Sequence, residues 1–229
     1  MACLLHLFGN NLNNLLVNYC KTNKLLEEII KNQIDMKQLS IRIALVTMAF
    51  LLVQGLSAQT AFEVKSHSIV VSGTSNLHDW TADVLKAKGV FNIKVENNKI
   101  SDIQGVELKV DAQSFNSSKG SIMNSKIKDA INSKKHPEIN FKATKLNSIT
   151  EKGGVTQINS SGVLTIAGTS QNITIDAVGK VLPNGEIELT GSKKVKMTDY
   201  KVEPPTAMFG ALTTGDEVTI TFKVVLKSI

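Results

Sequence analysis

Cysteine is absent from everything after residue 58, because both of the chain's cysteines, Cys3 and Cys20, precede it. Residues 59–229 therefore hold no disulfide, no cysteine zinc site and no thiol nucleophile. Arginine is missing from the same stretch, Arg42 being the sole one in the chain. Its 21 lysines face 17 acids there, a mild and scattered excess. Such a balance serves solubility, whereas a nucleic-acid surface needs clustered basic residues. Aromatics are few, with Trp80, Tyr200 and six phenylalanines after residue 58. That scarcity suits a flexible apolar ligand better than a sugar, which takes aromatic platforms. P-loop, GxGxxG, HExxH and GxSxG patterns are all lacking, so nothing announces phosphate cradling, zinc hydrolysis or a serine elbow.

No apolar run reaches the roughly 20 residues that cross a membrane. The run from Ile43 to Val53 follows Lys37 and Arg42 and leads to small residues at Ser57 and Ala58. This is the layout of a secretory signal peptide. Residues 36–58 are read as that signal, with cleavage after Ala58. A targeting signal belongs at the start of a chain, so the expected start is Met36 and residues 1–35 an upstream over-extension. A short amphipathic helix around Leu25, Ile29 and Ile30 is expected there, with no function. Export without cysteine points to a bacterial periplasmic or secreted protein with no stable membrane span in its mature form.

What is present, from Ala61 onward, is a period of two. Val106, Leu108, Val110 and Ala112 share one face, as do Ile173, Ile175 and Ala177, Ile187 and Leu189, and Val218, Ile220, Phe222 and Val224. Alternation of this kind makes strands with one wet and one dry face. Turn signals at 96–99, 168–172 and 183–186 make consecutive strands antiparallel neighbours. Eight strands are expected, near 62–75, 80–95, 99–112, 138–148, 154–168, 171–182, 185–198 and 216–228. One segment departs from the period. Near 119–133, Ile122, Met123, Ile127, Ala130 and Ile131 form a helical stripe that Pro137 stops. The expected fold is mainly β: a single antiparallel eight-stranded barrel over residues 59–229, with one amphipathic helix over an open end. The long loop near 199–215 is expected to be functional.

The adjacent His78, Asp79 and Trp80 are the first candidate site. In an extended segment His78 and Trp80 share a face and Asp79 points away, so the three do not converge. His67, His78 and His136 are widely spaced, and no metal site is expected. Trp80 is expected to line a cavity at one barrel end, with His78 and Asp79 as a polar rim. His136 reads as a solvated helix-end residue, and the lysine pairs 134/135 and 193/194 as wet faces.

Four stretches, "FEVKSHSIVVSGTSNLHDW" (62–80), "KIKDAINSKKHPEINFKAT" (126–144), "GVLTIAGTSQNITIDA" (162–177) and "GDEVTITFKVVL" (215–226), together resemble the YceI-like, polyisoprenoid-binding family. The match resembles a divergent branch. His78 and Gly89-Val90-Phe91 fit the family's first hairpin loosely, and Met197 stands where the family carries an arginine. The resemblance implies a lipocalin-like barrel that holds a long isoprenoid or other apolar lipid.

An interior of that kind would be lined by Trp80, Phe91, Leu108, Val110 and Phe115 from the first half. Phe141, Leu164, Ile166, Ile173 and Ile175 would follow, then Ile187, Leu189, Met197, Phe209, Ile220 and Phe222. Ile122, Met123 and Ile127 would form a plug or wall. No catalytic residue and no cofactor is expected. The leading reading is a non-catalytic carrier. Its rivals are a lipid-modifying enzyme using His78 and Asp79 at the mouth, and a solid-core envelope stress or interaction protein. A homodimer is compatible with the sequence, which does not set the oligomeric state.

Overall fold

The period-two segments become eleven strands, eight of which close on themselves. The computed structural model describes Lys21, Thr22, Lys24, Leu25 and residues 60–229. The chain divides into two units, Met1–Ser57 and Ala58–Ile229. In the first, the four described residues are helical and exposed. Ile29, Ile30 and the expected signal segment 36–58 lie outside the described residues.

In the second unit the strands are β1 (Thr60–Ser75), β2 (Trp80–Val84), β3 (Ala87–Glu96), β4 (Lys99–Asp111), β5 (Phe115–Ser117), β6 (Glu138–Lys152), β7 (Val155–Ile166), β8 (Thr169–Val181), β9 (Ile187–Lys196), β10 (Thr206–Ala207) and β11 (Leu212–Ser228). A helix, α1 (Ser121–Ala130), separates β5 from β6. The closed ring runs β1-β3-β4-β6-β7-β8-β9-β11 and returns to β1, every pairing antiparallel. The closing seam runs from Phe62 opposite Ser228 to Ser75 opposite Thr214. Closure satisfies edge groups that an open sheet would leave for another chain.

Hairpin turns fall where their residues accept positive φ. Asn97 and Asn98 link β3 to β4 at φ 50 and 61, and Gly168 links β7 to β8 at 76, with Ala167 before it at 48 in spite of its Cβ. A side chain at Gly168 would also strike the His136 ring, its Cβ coming 2.5 Å from Cε1. His136 is thus half-buried against this hairpin, not solvated as expected.

The expected single strand over 80–95 is broken into β2 and β3. At the break the backbone leaves the ladder and is satisfied from elsewhere. Leu85 N–H donates to the Ser114 carbonyl at 3.1 Å, Lys86 N–H to Ser114 Oγ at 3.1 Å, and Ala87 N–H to His67 Nε2 at 3.1 Å. β3 pairs with the first residues of β1, whereas β2 pairs with Val70 to Gly73 and carries β5 on its other edge. The barrel wall is thereby extended toward α1.

α1 stops at Ala130, short of the expected 133, because Asn132 takes a left-handed φ of 49. Asn124 ties the helix down: its Oδ1 accepts from Ser117 N–H at 2.6 Å. Among the described residues no helix is long and apolar enough to cross a membrane.

Candidate functional site

Side chains of the inner face form two clusters that differ in kind. At the end away from α1, Phe62, Phe91, Ile93, Ile100, Ile158, Ile187, Leu189, Val224 and Leu226 pack against one another. Ile93, Ile187 and Leu226 are fully buried there. That end is solid.

Toward α1 the interior opens. A cavity of about 150 Å3 lies above the solid end, between Phe91, Leu108, Phe141, Leu164, Ile173, Ile175, Leu189 and Phe222. A second, of about 130 Å3, lies under the helix, walled by Trp80, Ala82, Val84, Phe115, Ile166, Val195, Met197, Tyr200, Val202 and Val218. Ile69, Val110, Ile139 and Ile220 line both, forming the waist between them. Met123, Ile127, Ala130 and Ile131 of α1 roof the second. A mouth of about 180 Å3 follows, sharing Trp80, Met123, Pro205 and Thr214 with it. Each inner compartment is roughly ten times what one water needs, and apolar cavities of this size stay dry and accept hydrocarbons.

Rings of the wall lie against glycines of the neighbouring strand, in space that a side chain there would take. A Cβ at Gly191 would sit 2.5 Å from Phe222 Cζ, one at Gly162 2.6 Å from Phe141 Cε2, and one at Gly73 2.5 Å from Trp80 Cζ2. Trp80 Nε1 is satisfied by the Thr74 carbonyl at 3.3 Å.

Most expected lining residues stand at these cavities, and three do not. Ile187 is sealed in the solid end. Ile122 is 79% exposed, since its position lies about 100° around the helix from Met123 and the roof is built on Met123, Ile127 and Ile131. Phe209 sits in the loop leading to β11, fully exposed. His78 and Asp79 are exposed as well. His78 N–H donates to Ser75 Oγ at 3.0 Å and its carbonyl accepts from that hydroxyl at 2.7 Å, so the segment is a tight turn at the mouth. Among the described residues no group of three or more His, Asp or Glu could hold a metal ion.

Two larger polar residues of the lining, besides Ser160 and Thr214, are additions to the expected set. Lys193, read as a wet-face residue, follows the inward series Ile187, Leu189, Gly191 and lies opposite Ile220, so it lines the inner compartment. Adjacent strand residues point to opposite faces, so a Lys-Lys pair must send one inward. Tyr200 is the second. It lies 2% exposed in the wall under α1, and its hydroxyl has no hydrogen-bond partner. Burial pushes that hydroxyl up to about 12, with the Asp199 charge adding to the effect.

The short 3-10 turn Thr198–Tyr200 that carries Tyr200 is held from two sides. Asp216 accepts from Thr198 N–H at 2.9 Å and Thr198 Oγ1 at 2.7 Å, and Gln171 Nε2 donates to the Asp199 carbonyl at 2.6 Å. The Thr198 hydroxyl chiefly holds the Asp216 carboxyl below the usual carboxylate range. This contact is present above the ordinary carboxylate pKa and is lost as pH falls through the lowered value. Lys201 closes the turn at a left-handed φ of 58, which is costly for a residue with a side chain. Lys201→Gly is expected to raise stability by about 1 kcal/mol, read as a higher denaturation midpoint in urea with ligand capacity unchanged.

A family model described as a YceI-like domain matches residues 52–226. Among solved structures, BcnA of Burkholderia cenocepacia is similar at 18% identity and a TM-score of 0.54, covering 69% of this chain and 95% of its own. A polyisoprenoid binding domain from Saccharophagus degradans, implicated in plant cell wall breakdown, is similar at 13% identity and a TM-score of 0.58, covering 75% and 100%. A Campylobacter jejuni YCEI protein is similar at 19% identity and a TM-score of 0.51, covering 65% and 84%. No curated protein matches. At such identities the likeness speaks to the fold alone.

Proposed function

The chain belongs to the YceI-like domain family, and from that premise we propose that it is a non-catalytic carrier holding a long apolar lipid of isoprenoid type inside its barrel. The observation that carries the reading is a line of largely apolar space: two compartments end to end, the inner one bordered also by Ser160 and Lys193, leading toward a mouth at α1. The polyisoprenoid-binding relative from Saccharophagus degradans supports the choice of ligand class.

The energetics fit a carrier. Hiding a hydrocarbon from water is worth about 0.8 kcal/mol per CH2 group. A membrane offers the same dry surroundings, so net preference for the protein must come from shape and a few polar contacts. A loading site needs a moderate net preference, since a ligand held too tightly would never be delivered. The enzyme reading gains no support from His78 and Asp79, which are exposed in a turn. Cleavage after Ala58 and a periplasmic or secreted location belong to the same proposal, supported by the charge-apolar-small pattern of residues 36–58.

The test is direct. The full chain is expressed in a bacterial host, recovered under native conditions and extracted with organic solvent. Mass spectrometry is expected to find one dominant apolar lipid near one equivalent, and intact mass to give a chain starting at Gln59. A folded protein yielding no lipid, and taking up none from solution, would end the carrier reading.

A further inference from the structure

The compartment above the solid end is walled by apolar side chains except at two places, Lys193 and Ser160. The two stand on one rung of the barrel. Ser160 of β7 lies opposite Ile175 of β8, and the register of β8 with β9, last fixed where Asp176 meets Ser192, brings Lys193 level with Ile175 on its other side. Two strand spacings, roughly 10 Å, therefore separate them. Among the described residues neither Lys193 Nζ nor Ser160 Oγ has a hydrogen-bond or ion-pair partner, and, unlike the Tyr200 hydroxyl, neither is sealed among protein atoms. The outward neighbour Lys194 does have a partner, Glu217 at 2.8 Å. No acid lines either inner compartment.

A ligand made of hydrocarbon alone would gain nothing from this pair. A half-buried ammonium against apolar surface costs free energy unless an anion and a further hydrogen bond meet it. The charge that one lysine balances is a single one. A phosphate monoester brings about two and would leave one uncompensated in apolar surroundings. A carboxylate brings one, with one oxygen for the ammonium and one for the serine hydroxyl. We propose that Lys193 and Ser160 hold the carboxylate of an acidic lipid in the inner compartment. The packed end closes one direction, so the tail runs through the waist into the compartment under α1. This rests on the carrier reading and narrows its ligand to a long-chain carboxylic acid.

The experiment uses the delipidated full chain and three probes: farnesylacetic acid, its methyl ester and farnesyl phosphate. Titration calorimetry at neutral pH is expected to give the acid about tenfold tighter binding than the ester, equal to ~1.4 kcal/mol, and tighter binding than the phosphate. In Lys193→Met and in Lys193→Gln the ratio of acid to ester is expected to fall to about one, the loss falling on the acid, with the ligand-free thermal midpoint of the methionine variant equal or higher. Ser160→Ala is expected to lower the ratio about threefold. Lys194→Met, which removes the same charge from the outer face, is expected to keep it. Equal or weaker binding of the acid by the parent chain, or a preference that survives both changes at Lys193, overturns the assignment while leaving the carrier intact. Tightest binding by the phosphate overturns it also. If neither acid nor ester binds, the carrier reading falls and this one with it.

Discussion

Val110→Phe is expected to weaken lipid binding on the order of a hundredfold, ~2.7 kcal/mol, while the protein stays folded with an unchanged or higher thermal midpoint. Val110 lies on β4 opposite Ala87 and Ile139 and lines both inner compartments. A larger side chain at this waist enters space that a ligand chain must traverse. The sign of the stability change makes the experiment decisive. In a packed core an added ring forces strain of about 1–3 kcal/mol, whereas in an empty cavity it gains buried apolar surface at about 25 cal/mol per Å2. Phenylalanine is the right intruder because tryptophan would bring an N–H that needs a partner. Binding measured by displacement of a fluorescent apolar probe, beside a thermal scan, reads both effects. Loss of stability with retained binding would mean that the waist is full and the ligand elsewhere.

How much of this could be read from the sequence depended on whether a feature was local. Strand periodicity is local, so Val106 to Ala112 and Val218 to Val224 were placed on the inner face, and the turns at Asn97-Asn98 and Gly168 followed from residues tolerant of positive φ. The break at Leu85 and Lys86 is not local. It depends on Ser114 and His67, far along the chain, supplying acceptors in place of the ladder. Lys193 was legible and misassigned: the alternation from Ile187 already sends it inward, but a lysine pair looks like a wet surface. Ile122 shows the opposite fault, an apolar residue counted with a stripe from which the helical angle excludes it. Tyr200 gave no signal, because an isolated tyrosine in a loop says nothing about what its hydroxyl will meet. The division of the barrel into hollow and solid was beyond periodicity altogether. Ile187 and Leu189 alternate as Ile173 and Ile175 do, yet Ile187 is sealed in the packed end, Leu189 stands at its border with the cavity, and Ile173 and Ile175 face the void.

That division carries the second large effect, a contrast in stability between two equivalent truncations. Leu226→Ala is expected to cost about 3–5 kcal/mol, and Ile173→Ala about 1–2 kcal/mol. Leu226 is fully buried among Phe62, Ile93, Ile187 and Val224, where neighbours pinned by the closing seam cannot collapse into the gap. Removing its isobutyl group loses both the transfer term and the contacts around a new cavity. Ile173 is half-buried and borders space that is already empty, so fewer contacts vanish with it. In a domain of this size each kcal/mol moves the thermal midpoint by roughly 2–4 °C, which separates the two variants clearly in a calorimeter. Their order in lipid binding is reversed: Ile173→Ala alters the fit of the ligand, while Leu226→Ala leaves it near the parent value below its own melting range. Equal destabilisation by the two changes would mean that the inner face is packed alike from end to end, and the distinction between a solid floor and a hollow chamber would not stand.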